Sequence, residues 1–248
     1  MKLLRYQDFL DRVEELGFMA FSGIVDGLPS LTGETPRNIW HTGDPETDPW
    51  RWKDRAAEEK RLAFGCVLGG NKGFIAPKLY PAFLAACRPS EHMEERRYGG
   101  LVNQTLWDLW KLFEERKVLD TSEIRSCMGV AGKKGGSRVD SAIVELQRLF
   151  QITVAGSRQK INRDCQPYGW HINVYERVED WMPSEWNVTG TGVKGSITGG
   201  VDNSDSASSY IAADMDRDTA IEMILDIGVR NGDNVNRDKL FRALSFHR

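Results

Sequence analysis

Apolar residues fall on one helical face from residue 5 to 16, where Tyr6, Phe9, Val13 and Leu16 recur at the spacing of an α-helix. Residues 17 to 50 lose that period and are rich in Gly, Pro and Thr, which predicts irregular chain wrapped over the core. The pattern resumes in DPWRWKDRAAEEK, where Asp48 suits an N-cap and Pro49 the first helical position. Residues 62 to 85 read as two short strands about the turn Gly69-Gly70-Asn71-Lys72-Gly73, then a helix near Pro81 to Ala86.

The plainest grammar lies between 101 and 182. Val102, Leu106, Leu109 and Phe113 mark one face of a helix, and the DTSE run at 120 to 123 opens a short second one carrying Ile124 and Met128. A glycine-lysine turn over 129 to 136 leads to Ser137, with Asp140 three residues on completing a capping-box pattern. The helix that follows buries Val139, Ile143, Leu146 and Phe150. Residues 151 to 156 and 171 to 178 alternate like two strands of a hairpin, joined by the polar, basic tip SRQKINRDCQPYG. Helix, short helix, turn, helix and two-stranded wing together spell a winged helix. Residues 187 to 209 lack large apolar side chains and read as a flexible linker. Beyond it, Ile221, Ile224 and Leu225, then Leu240, Phe241 and Leu244, mark two short helices. That pair is too small to form a core alone, so it must dock on the main body, a second copy or a partner protein.

The expected architecture is therefore α+β: a helical and irregular region over residues 1–100, a winged helix over 101–186, a linker over 187–209 and a helix pair over 210–248. No run approaches the roughly 18 apolar residues of a membrane span. The amino terminus carries acids at 8 and 11 where a signal peptide needs an apolar stretch. Cysteines 66, 87, 127 and 165 form no close pair, so a reducing cytoplasm is expected, and neither a cofactor nor a metal is implied.

Charge changes the picture. The chain is mildly acidic at −3, yet residues 121 to 170 hold eight bases against four acids, a local +4 that leaves −7 elsewhere. Lys133, Lys134, Ser137, Arg138, Ser141 and Arg148 lie on or before the expected recognition helix, and Arg158, Lys160 and Arg163 on the wing. Lys and Arg contacts to phosphate supply most non-specific DNA affinity, and a helix-turn-helix offers the N-terminal end of its second helix to the major groove. These nine residues are the candidate DNA contacts. On the sequence, Arg148 shares a solvent-facing side with Arg138 and Ser141. Winged helices also serve as protein-contact modules, and that alternative stays open.

Four stretches, DPWRWK, LAFGCVLGGNKGFIAPKLYPAF, SRVDSAIVELQRLFQITVAG and GWHINVYERVEDWMP, resemble a bacterial winged-helix superfamily. It is the one that contains the AlkZ-type DNA glycosylases, and the likeness runs from about residue 36 to 185, strongest to short AlkZ-related proteins. The resemblance implies a DNA-binding winged-helix scaffold and, in its enzymes, excision of alkylated bases. Those enzymes use a Gln-x-Gln or Gln-x-Asp pair to position water. Glutamines 7, 104, 147, 151, 159 and 166 here are never followed two residues later by Gln or Asp, so no catalytic residue carries over.

One further stretch, residues 41 to 81, collects His41, Asp44, Glu46, Asp48, Trp50 and Trp52. As a metal site it lacks a second histidine and a helical ligand spacing. As a hydrolytic site, Asp44 or Asp48 would activate water with His41 as proton carrier, and Trp50 or Trp52 would line a base pocket. As scaffold, the tryptophans anchor the core and the acids and prolines start a helix, with KDRAAEEKR its solvated face. The scaffold reading requires least.

Overall fold

The structure is a computed structural model, and it describes residues 2–130, 135–161, 164, 166–187 and 215–246. Helix α1 (Tyr6–Leu16) buries Tyr6, Phe9, Leu10, Val13 and Leu16, and Asp8 accepts from the Arg5 amide at its start. Gly17, at φ +80°, ends it and turns the chain into strand β1 (Phe18–Ala20). The expected irregular stretch 17–50 is more ordered than its composition suggests. It holds β1, the short helix α2 (Leu31–Glu34) and a 3-10 turn at Arg37–Ile39. Strand β1 arises by pairing with a partner more than fifty residues away, which no local period records.

Helix α3 (Pro49–Glu58) starts as its sequence says, Asp48 capping the Trp50 amide with Pro49 in the first turn. Strands β2 (Ala63–Leu68) and β3 (Asn71–Ile75) are joined by Gly69 and Gly70 alone, at φ +61° and +94°. Two consecutive positive φ values match the twist of the flanking strands, a geometry glycine adopts without a steric penalty. Gly73 lies within β3 rather than in the turn. Helices α4 (Tyr80–Cys87) and α5 (Met93–Tyr98) lead to α6 (Gln104–Glu115), capped by Asn103 and burying Leu106, Leu109, Trp110 and Phe113.

The winged-helix order follows: β4 (Val118–Asp120), α7 (Thr121–Cys127), α8 (Gly136–Arg148), β5 (Ile152–Ile161), β6 (Pro167–Arg177) and α9 (Val178–Trp181). The hairpin is longer than the alternation predicts, because pairing continues to Ile161 opposite Pro167. Most of the expected tip, Arg158 and Lys160 included, is strand. The supposed linker lies outside the described residues except at Asn187, which closes a 3-10 turn from Ser184.

The six strands form one sheet in the order β1-β3-β2-β5-β6-β4, every pairing between them antiparallel. Phe64 opposite Val154 joins the amino-terminal hairpin to the wing. One face packs Phe64, Phe74, Val154 and Tyr175 against Phe9, Trp52, Leu109, Phe113, Ile143 and Leu146 from α1, α3, α6 and α8. The opposite face packs Phe18, Val67 and Ile75 against Phe83, Trp181 and the carboxy-terminal helices α10 (Arg217–Asn231) and α11 (Arg237–Leu244). The result is a mixed α/β fold with amino-terminal helices, a central sheet and two carboxy-terminal helices. Among the described residues no helix is long and apolar enough to cross a membrane.

The tail docks on its own chain. Ile224, Leu225, Leu240 and Leu244 are buried, and burial of each such side chain contributes about 1.5–3 kcal/mol. Arg217 Nε donates to the Ala86 carbonyl at 3.1 Å and Asn231 Nδ2 to the Leu16 carbonyl at 2.8 Å. At Gly228 a Cβ would stand 2.5 Å from Leu240 Cδ2 and 3.0 Å from Phe18 Cζ, so α10 approaches the sheet through a residue with no side chain.

A protease site placed between residues 190 and 209 should, once cut, leave two fragments that co-elute under native conditions. Their separation would mean that the tail is not held by its own body. Gly228→Val should lower stability by about 1–3 kcal/mol in urea unfolding, through overpacking against Phe18 and Leu240.

Candidate functional site

Helix α7 is fixed at its start by a reciprocal cap. Asp120 accepts from the Glu123 amide, and Glu123 accepts from the Asp120 amide, each at 2.8 Å. Both carboxylates also receive Arg158 from β5. Its Nε donates to Asp120 at 2.6 Å, and one terminal nitrogen donates to Glu123. Arg158 therefore ties the wing to α7. Arg125 ties α7 to α8 by a two-pronged pair with the Asp140 carboxylate, at 2.7 and 2.8 Å. Asp140 does not cap α8. That helix begins at Gly136 behind Gly135, which sits at φ +111° and supplies no side-chain cap. The capping box expected from Ser137 and Asp140 is absent because the helix starts two residues earlier, with Gly135 at the N-cap and Ser137 already inside it, and Asp140 pairs with Arg125 instead.

Arg148 does not stand beside Arg138. It pairs with Glu145 at 2.8 Å, and its Cδ lies 3.0 Å from where a Cβ at Gly70 would be, against the β2–β3 turn. Arg125, Arg148 and Arg158 are thus neutralised within the chain. Among the described residues, Arg138 and Lys160 carry no ion pair. Lys133, Lys134 and Arg163 lie outside the described residues. Arg138, Ser137 and Ser141 together line a shallow depression with Asn103, Gln104 and Thr105, where the amino-terminal ends of α8 and α6 meet. The Ser141 hydroxyl donates to the Ser137 carbonyl at 2.9 Å, leaving its oxygen able to accept. Two helix starts side by side favour an anion through their dipoles.

The stretch from 41 to 58 organises itself. Asp48, fully buried, accepts from the amides of His41, Gly43 and Trp50, each at 2.9 Å. It holds together a loop in which His41 sits at φ +62°. Asp44 is exposed and accepts from the Glu46 amide and the Thr47 hydroxyl, which hold its carboxyl below the usual range. Trp52 is buried, stacked on Phe9 at 5.7 Å, with Nε1 donating to the Glu46 carbonyl. Trp50 is half-buried between the His41 ring at 5.1 Å and the Lys53 ammonium at 4.6 Å. His41, Asp44 and Asp48 thus form a turn in which both carboxylates are committed to hydrogen bonds within the loop and the start of α3.

The expectation that KDRAAEEKR is a solvated face fails at its start. Lys53 and Asp54 are buried and paired at 2.5 Å, and burial pulls the Lys53 ammonium below its ordinary pKa while Asp54 opposes the shift. The signal was present: positions 49, 52, 53, 56 and 57 follow the spacing of a buried stripe, with Lys53 standing in it.

Sequence reading also missed a crevice of about 190 Å³ between α8 and the sheet, lined by Phe64, Cys66, Lys72, Gln147, Asn173 and Tyr175. Its signal was the alternation on β6, which turns Asn173 and Tyr175 the same way. Burial raises both the Cys66 thiol and the Tyr175 phenol above their ordinary pKa values. Gln147 accepts from the Cys66 amide at 2.9 Å and donates to the Ile143 carbonyl at 3.1 Å, so its amide braces α8 on β2. The crevice is smaller than the roughly 300–1,000 Å³ of ordinary ligand sites. Among the described residues no group of three or more His, Cys, Asp or Glu side chains is placed to hold a metal ion.

A family model described as AlkZ related matches residues 3–194, and the chain belongs to that family. No curated protein and no solved structure matches it.

Asp48→Ala should cost about 2–4 kcal/mol in urea unfolding, because three amides lose their acceptor. Asp44→Ala should change stability by less than about 1 kcal/mol, as surface substitutions usually do. An Asp48→Ala protein as stable as the parent would show that the carboxylate does not hold the loop.

Proposed function

We propose that this AlkZ-related chain binds double-stranded DNA through the amino-terminal end of α8. The observation that carries the proposal is the exposed start of that helix, uncapped by any side chain and carrying Ser137, Arg138 and Ser141 beside the start of α6. In a helix-turn-helix this is the end that meets the major groove, with phosphates engaged by cations and helix amino termini. Lys160 on the hairpin, and Lys133 and Lys134 just before α8, are the further cations the reading uses. Arg125, Arg148 and Arg158 are assigned a scaffold role because their charge is met by Asp140, Glu145, Asp120 and Glu123.

The absence of a Gln-x-Gln or Gln-x-Asp pair, together with the commitment of Gln147 and Asp48 to backbone amides, favours binding without base excision. Incubation with methylated duplex should therefore yield no abasic sites in a strand-cleavage gel. Release that disappears in an Asp44 or Asp48 variant would replace this reading with a glycosylase.

Binding should weaken with salt at a slope of log K against log salt near −2.7 if about three phosphates are neutralised. Arg138→Ala with Lys160→Ala should flatten that slope by about two phosphates' worth, roughly 1.8. Arg158→Ala should leave the slope within error. Absence of duplex binding at low salt by fluorescence anisotropy would remove the proposal.

A further inference from the structure

The outer part of the β5–β6 hairpin carries a second surface that shares Lys160 with the duplex reading and whose apolar side chains that reading leaves unused. Ile161, Tyr168 and Trp170 there are 66 %, 50 % and 72 % exposed. Large aromatic side chains normally bury most of their area, so two exposed rings two positions apart on one short segment call for a function. The backbone around them is shaped. Gly169 takes φ +69° between the two aromatics, and Gln159 Nε2 donates to its carbonyl at 3.0 Å. That brace holds a kink in the strand, with Tyr168 opposite Lys160 in register. Trp170 meets the exposed His41 ring edge-on at 5.9 Å, and His41 continues through Trp50 to the buried Lys53. Arg51 lies near enough to help hold the neighbouring His171 below its ordinary pKa, after burial.

We propose that this hairpin surface is a stacking platform for unpaired nucleobases, with Trp170 and Tyr168 offering ring faces and Lys160, His41 and Arg51 meeting the backbone. The inference rests on the nucleic-acid reading above and adds a substrate class to it: single-stranded or bulged segments. Charge complementarity selects this occupant over a protein partner. Lys160 stands opposite Tyr168 and Arg51 faces the neighbouring His171; of the two acids that also face His171, Asp54 is already paired with Lys53, which leaves Glu58 against these cations. Flat rings among cations are what single-strand binders use, because every base presents a face to stack and every linkage a phosphate. Base pairs within an intact duplex offer no free face to these rings, so the platform and the α8 surface make separable contributions.

The test uses the full chain and two probes, an oligo-dT strand and a fully paired duplex, read by anisotropy and by tryptophan fluorescence. Trp170→Ala with Tyr168→Ala should weaken oligo-dT binding by about tenfold or more, as expected for the loss of stacking on two rings. Duplex affinity should stay within about twofold, and Trp170→Phe should retain strand binding while losing the fluorescence quench that oligo-dT causes in the parent. Both substituted positions are exposed, so the variants should keep the parent's circular dichroism. If the parent binds duplex but its strand binding ignores both substitutions, the platform is wrong and the duplex reading stands. If the parent binds neither probe, the nucleic-acid reading fails and takes the platform with it. If Trp170→Ala instead turns a dimer into a monomer in sedimentation, the surface is an interface between copies, and the inference is overturned.

Discussion

A sheet with two apolar faces has to be covered on both, and this requirement organises the molecule. Strand β2 shows it most directly: AFGCVL is buried along its whole length, with no alternation to leave one side wet. A winged helix alone packs its helices on one face of its sheet. Here the amino-terminal region extends that sheet to six strands and supplies α1 and α3 to the same side as α6 and α8. The other side is closed by α4, α9 and the tail. Helices α10 and α11 are part of the structural core although they follow an undescribed stretch of chain. Leu240 and Ile224 have no exposure at all, and the Gly69 turn fits directly beneath the last turn of α11.

The second organising feature is where charge ends up. Counting side chains along 121–170 gives an excess of four positive charges, but counting does not show which of them face solvent alone. The acids of the α7 cap each serve twice, satisfying an amide and holding Arg158. Asp140 holds Arg125 and Glu145 holds Arg148. Among the described residues of this stretch, pairing leaves Arg138 and Lys160 as cations without an acid partner. A partner recognised by charge would meet the start of α8 and the hairpin.

Elements whose signal is local were legible in the sequence. Asp48-Pro49 started α3, Gly69-Gly70 turned the β2–β3 hairpin, and the apolar periods of α6, α8 and α10 marked their buried faces, except that Phe150 follows the end of α8 at φ +51° and packs in the core on the other side of the sheet. What was not legible depended on partners distant in sequence. Strand β1 exists because β3 pairs with it, and Asp140, inside a helix that starts before Ser137, meets Arg125 from fifteen residues earlier. Lys53 was read as solvated from its charge although its position placed it in the stripe. The position was the better guide, because Asp54 and the faces of Trp50 and Phe64 offset part of the cost of burying an ammonium. Among the candidate contacts, residue type identified the cations, and only the fold separated Arg138 and Lys160 from those tied to acids.

The relation between the two exposed surfaces then turns on what holds α7, α8 and the hairpin together. Ion pairs form a chain between them, from Arg158 on β5 through α7 to Asp140 on α8. Arg125, Asp140 and Arg158 are about half exposed, with only Asp120 largely buried, and pairs with exposed partners contribute at most about 1 kcal/mol each and weaken with salt. Ile124, Val139, Ile143 and Leu146 are buried in the same region, and such residues contribute about 1.5–3 kcal/mol apiece without salt dependence of that kind. Apolar packing therefore sets the orientation of α8 against the hairpin, while the ion pairs decide which cations remain available to a partner. Raising the salt would screen any partner's phosphates well before it disturbed the geometry that presents Arg138 and Trp170.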